Sequence, residues 1–152
     1  MFCYQCEQAA KETGCTSYGV CGKDPETAAL QDLLVHAVKG LSMYAHRARK
    51  LGATDREIDV FTVQALFATV TNVDFDPEHL EKHLRDAAQL RDKAKQMYEE
   101  ACREAGKEPE SLGGPAQWQP SDTQDNLIRQ GETVTIEKRR QKYNETIAGL
   151  QD

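Results

Sequence analysis

Four cysteines, Cys3, Cys6, Cys15 and Cys21, open the chain with the spacing C-x2-C-x8-C-x5-C. Thiolates are soft ligands that select zinc and the iron of iron–sulfur clusters. Two cysteines separated by two residues reach a common site from one tight turn. Gly14, Gly19 and Gly22 lie beside the later cysteines, where they suit a loop that folds sharply and aims backbone N–H groups inward. Such amides hydrogen-bond cluster sulfurs and help to set a potential. Structural zinc sites favour two short cysteine pairs, whereas five residues separate Cys15 from Cys21, and disulfides belong to exported chains. The spacing therefore favours an iron–sulfur cluster, with a structural zinc site, a pair of disulfides and four unrelated thiols as alternatives. Phe2, Tyr4 and Tyr18 lie among these cysteines, either to shield a cluster from water or as plain packing.

The remaining reactive residues carry less. Cys102 falls on the apolar stripe of a helical segment, where an inert buried thiol is expected. His79 and His83 are one helical turn apart and match the spacing of a shared metal. No third ligand is evident from the sequence, so they read as solvated surface histidines. His36 and His46 project away from the apolar stripe of their own helix and read as structural bystanders. Arg91 falls on an apolar stripe and needs a partner that the sequence does not name. The basic run Lys138, Arg139, Arg140 and Lys142 reads as a solvated helix face.

Three helices must position this head. Asp24 followed by Pro25 is a capping carboxylate and a first-turn proline. Leu30, Leu34, Ala37, Leu41, Ala45 and Ala48 then recur at helical spacing up to Gly52, which predicts a helix over about 25–51. Gly40 in its interior costs about 1 kcal/mol relative to alanine and so predicts close approach of a neighbouring helix. Thr54-Asp55-Arg56-Glu57 reads as a capping box that opens a second helix. That helix is apolar nearly all round, with Ile58, Phe61, Ala65 and Leu66 on one side and Val60, Val63, Phe67 and Val70 on the other, so it needs covering twice. Asp76-Pro77 repeats the cap-plus-proline start, and Leu80, Leu84, Ala87, Ala94, Tyr98 and Cys102 predict a third helix over about 77–105.

The expected fold is all-α: a three-helix bundle with an N-terminal cysteine-rich cluster-binding loop and a largely irregular C-terminal tail. Residues 107–126, rich in proline and glycine, read as a surface loop that Trp118 pins to the bundle. Residues 132–136 read as briefly extended and 137–150 as helical. The divisions are 1–24 for the cysteine loop, 25–106 for the bundle and 107–152 for a polar loop and short helix. Ala28-Ala29-Leu30-Gln31-Asp32 is echoed in Ala148-Gly149-Leu150-Gln151-Asp152, which suggests that a second bundle starts here in a longer parent.

The 152 residues carry a net charge of -6, which excludes a general nucleic-acid binder because such a protein needs a basic face. Composition is 39% hydrophobic and 29% charged, and no apolar run approaches the roughly 18 residues of a membrane span. No secretory leader is evident and the expected location is cytoplasmic.

Several runs carry a family resemblance: Phe2-Cys3-Tyr4-Gln5-Cys6-Glu7-Gln8, Cys21-Gly22-Lys23, Leu30-Gln31-Asp32-Leu33-Leu34, Lys39-Gly40-Leu41 and Phe67-Ala68-Thr69-Val70-Thr71-Asn72. Together they resemble the N-terminal part of the hybrid-cluster proteins, also called prismane proteins or hydroxylamine reductases, from residue 1 to about 105. The cysteine spacing is similar to that of the subgroup holding a cubane [4Fe-4S] cluster rather than a [2Fe-2S] centre. The resemblance thus implies Cys3, Cys6, Cys15 and Cys21 as ligands of one [4Fe-4S] cluster.

In the family, reduction of hydroxylamine or nitric oxide occurs at a hybrid iron–sulfur–oxygen cluster whose cysteine, histidine and glutamate ligands lie further downstream. No position of this chain matches them. The resemblance therefore implies an electron-entry module without catalytic residues of its own. Its expected partners are a redox donor protein and either the remainder of a longer chain or a second copy bound through exposed helix faces. The rival reading is a helical domain whose N-terminus is stapled by zinc or iron–sulfur without a redox role.

Overall fold

The structure is a computed structural model that describes Cys3, residues 15–70 and residues 74–150. Its architecture is all-α, as expected. The helices are α1 Pro25–Lys50, α2 Arg56–Val70, α3 Pro77–Glu104, α4 Gln124–Thr133, α5 Ile136–Lys142 and α6 Glu145–Leu150, with a 3-10 turn at Gly114–Gln117. Among the described residues no helix is long and apolar enough to cross a membrane.

The start signals of α1 and α3 act as expected. Asp24 caps α1 by accepting from the Thr27 amide at 2.7 Å and the Thr27 hydroxyl at 2.9 Å, with Pro25 in the first turn. Asp76 caps α3 by accepting from the Glu78 amide at 3.0 Å. At α2 the cap is one residue later than the sequence suggests. The Asp55 carboxylate, not Thr54, accepts from the amides of Glu57 and Ile58, because a carboxylate is the stronger acceptor for the bare N–H groups of a first turn. Gly52 and Gly106 follow α1 and α3 with positive φ, the left-handed stop that glycine takes without strain.

The core is the seam between α1 and α3. Leu30, Leu34 and Leu41 of α1 and Leu80 and Leu84 of α3 are wholly buried, and Ile58 and Phe61 of α2 close one side. Arg91 on the α3 stripe is buried too, and its guanidinium donates to the Trp118 carbonyl and to Asp92 Oδ1. The missing partner is thus the backbone of the tail. Trp118 packs against the core as expected.

The tail is more ordered than the expected irregular segment. Instead of one loop over 107–126, a 3-10 turn seats Ala116 in the core, and α4 begins at Gln124 under a Thr123 cap. The stretch 132–136, expected to be extended, spans the end of α4 and the start of α5. Thr135 caps α5, accepting from the Lys138 amide, and capping outweighs the weak strand preference of a Thr-Val-Thr-Ile run. Gly131 of α4 lies so close to α1 that a Cβ there would stand 2.1 Å from the Ala29 carbonyl oxygen. Gly40 makes the corresponding contact in α1, where a Cβ would stand 2.1 Å from the Pro115 carbonyl oxygen. What approaches Gly40 is therefore the 3-10 turn rather than a helix.

Candidate metal centre at the cysteine head

The head is assembled at the N-terminus of α1. Cys3 and Cys15 pair as an antiparallel bridge, the Cys15 amide donating to the Cys3 carbonyl at 2.7 Å and the Cys3 amide to the Cys15 carbonyl at 3.4 Å. Residues opposite each other in such a bridge carry their side chains to the same face. Cys15 is buried, Cys3 half-buried and Cys21 exposed, and all three are free thiols. Cys6 lies outside the described residues, so the structure brings together Cys3 and Cys15 and places Cys21 on the turn that leads into α1.

That turn is dictated locally. The Gly22 amide donates to the Gly19 carbonyl at 2.9 Å, and the Gly19 amide to the Lys23 carbonyl at 2.8 Å. Gly22 takes φ of 92°, a left-handed conformation that glycine adopts at no steric cost. Its consequence is the placement of Lys23, wholly buried, with Nζ 3.9 Å from Cys3 Sγ and 5.7 Å above the centroid of the Phe75 ring. A buried ammonium calls for anionic company. Thiolates are among the anions that suit an ammonium placed this close to Cys3 Sγ, and the donor chemistry of the head fits a metal or cluster of negative overall charge.

Lys23 was not singled out as a functional residue by sequence reasoning. Its signals are its place in the Cys21-Gly22-Lys23 run and its position before the Asp24-Pro25 cap. The Asp24 carboxylate accepts from the first-turn amide of Thr27, so it sits on the positive end of the α1 dipole. Hydrogen bonding to Thr27 overcomes desolvation and holds the Asp24 carboxyl below the usual range.

Residues 1–152 match the description of the Prismane/CO dehydrogenase family, the whole length of the chain. The chain belongs to that family. It is 51% identical to a hydroxylamine reductase of Rhodospirillum rubrum, covering all of this chain and 28% of the relative. A hydroxylamine reductase of Geobacter sulfurreducens is 53% identical over 86% of the chain and 24% of its own length. One from Acidithiobacillus ferrooxidans is 49% identical over 90% and 25%. The chain thus spans about a quarter of the length of these Prismane relatives.

Cys102 is buried in the apolar core. His46 is exposed. His36 is half-buried and, with Lys39, Lys138, Arg139 and Lys142, lines a cavity of about 400 Å³ between α1 and α5. Lys138, Arg140 and Lys142 of the basic run are exposed, as expected of a solvated face, and half-buried Arg139 is the part of it turned into this cavity wall. His79 and His83 share one end of α3 with Asp74, whose Oδ2 lies 2.9 Å from His79 Nδ1. His83 stands edge-on to Phe61.

Proposed function

We propose that this chain is an iron–sulfur electron-transfer module, holding one [4Fe-4S] cluster through Cys3, Cys6, Cys15 and Cys21, that feeds the reduction carried out by longer hydroxylamine reductases. The observation that carries the reading is the Cys3–Cys15 bridge with the buried Lys23 ammonium set against Cys3 Sγ. Each resident part has a task. The bridge fixes two sulfur ligands on one face, and the Gly19–Lys23 turn returns the chain to α1 so that Cys21 stands at the same end of the molecule. Lys23 offsets part of the negative charge that four thiolates and a reduced cluster accumulate. Phe75 keeps water from one side of that ammonium. A [4Fe-4S] cluster bound there supplies a one-electron couple.

The reducing centre for hydroxylamine belongs, on this reading, to the remaining three-quarters of such proteins, and a cytoplasmic redox protein is the donor. The test uses anaerobically purified protein, its visible spectrum, and iron and acid-labile sulfide assays. Matched iron and sulfide with bleaching by dithionite is the expected result, and Cys3→Ser or Cys15→Ser is expected to remove most of both. Stoichiometric zinc in a colourless protein would make the head a structural clasp. Full cluster content in both serine variants would end the assignment.

A further inference from the structure

Away from the cysteines, a second group of metal-ligating side chains is drawn from two elements. Asp74 stands on the connection into α3, and His79 and His83 are one turn apart on α3 itself. One ligand atom from each of the three lies within 4.8 Å of the others. The Asp74 side chain is only 10% exposed, and a desolvated carboxylate needs a cation or a full set of donors. Its Oδ2 has the 2.9 Å approach of His79 Nδ1 but no hydrogen bond of good geometry. His83 Nδ1 is likewise shielded from water, with no hydrogen-bond partner among the described residues.

Two shielded polar atoms without proper partners in one small cluster require an explanation. Protonated His79 would satisfy Asp74 and leave His83 as it is. A metal ion satisfies both. Two imidazole nitrogens and a carboxylate oxygen are a donor set for borderline divalent metals, and histidines at i and i+4 on one helix face are a recurrent way of presenting two of them. Tetrahedral zinc with bonds of about 2.0–2.1 Å holds its ligand atoms roughly 3.4 Å apart, so small side-chain rotations close the present spacing.

We propose that Asp74, His79 and His83 bind one divalent transition-metal ion of the zinc class, leaving a fourth position open to water beside the exposed His79. The ion ties the connection to α3. Because the wholly buried Gln31 of α1 donates from Nε2 to the Asp74 carbonyl at 2.8 Å, the same ion fastens α3 to α1. The adjacent Phe75 lies under Lys23, so the clamp also steadies one wall of the cysteine head. The site stands whether or not the head carries a cluster.

The decisive experiment titrates Zn²⁺ into the untagged 152-residue chain while the imidazole NMR signals of its four histidines are followed. Zinc captured by the cysteines leaves those signals in place. The expected result is that His79 and His83 shift together and saturate at one equivalent beyond the head, with His36 and His46 unmoved as internal controls. Loss of an outer partner of a metal ligand weakens binding about 10–100-fold, and loss of a ligand itself should do at least as much, so Asp74→Asn and His79→Gln should each weaken the titration by that factor. Both changes avoid the core. Unmoved His79 and His83 signals overturn the proposal. So does unchanged affinity in Asp74→Asn, which would reduce the site to two histidines on a helix.

Discussion

His36 illustrates how one side chain sets a property of the whole fold. Burial first, and then the charges of Lys39 and Arg139, push its pKa down to about 4. The native state therefore keeps this imidazole neutral, while the unfolded chain protonates it near 6.5. Between those values the unfolded state binds more protons, so stability falls as pH drops from about 6.5 to 4 and is level above that window. The full shift corresponds to roughly 3 kcal/mol, and solvent screening at a half-buried site leaves about 1–2 kcal/mol. Urea denaturation in EDTA at pH 4.5 and 7 should show that loss, and His36→Gln should remove most of it. A remainder is expected from His83, which burial and His79 also push down. The contrast between legible and illegible site residues is clear at this scale. Candidate cysteine ligands announce themselves because a thiol every few residues has few other uses. Lys23 and Asp74 do not, because a buried ammonium and a buried carboxylate gain their meaning from groups on other elements, Cys3 in one case and two α3 histidines in the other.

At the scale of elements, Gly40 joins helix propensity to tail packing. Alanine there gains about 1 kcal/mol of propensity. Its Cβ would, however, stand 2.1 Å from the Pro115 carbonyl oxygen and 2.6 Å from the carbonyl carbon, and rigid backbone cannot swing aside as a side chain can. Overpacking costs about 1–3 kcal/mol, at the upper end for so close an approach. Gly40→Ala should therefore lower stability by about 2 kcal/mol in urea denaturation and increase amide exchange at the 3-10 turn. Gly113→Ala is the control, since open space surrounds its Cβ position and its φ is -111°. The bounds of α1 and α3 were legible because Asp-Pro starts, glycine stops and a long apolar stripe all agree. The helical character of 137–150 was legible as well, but α4 was not, because it is a short helix whose order rests on docking to α1 rather than on its own periodicity. Gly131 against Ala29 is such a docking contact, and a glycine inside a polar stretch reads locally as a loop.

Across the whole molecule, α2 faces two ways. Ile58, Phe61 and Ala65 are buried toward α1 and α3, whereas Val60, Val63, Phe67 and Val70 are 44–67% exposed on the opposite face. These four recur at helical spacing and form a stripe of the kind that monomeric surfaces usually avoid. The relatives extend well beyond the residues matched here, and a longer chain has material to cover the stripe. A second copy of this chain is another cover. Fully burying a valine is worth about 1.5–3 kcal/mol before the cost of association, so the expected product is a weak dimer. Sedimentation velocity should show the weight-average mass rising with concentration. Val63→Lys, which sets a charge at the most exposed point of the stripe and leaves the buried face of α2 intact, should hold the chain monomeric without lowering its melting temperature. Concentration dependence that persists in Val63→Lys would move the self-association to another surface, and α2 would then be a helix that tolerates its exposed valines.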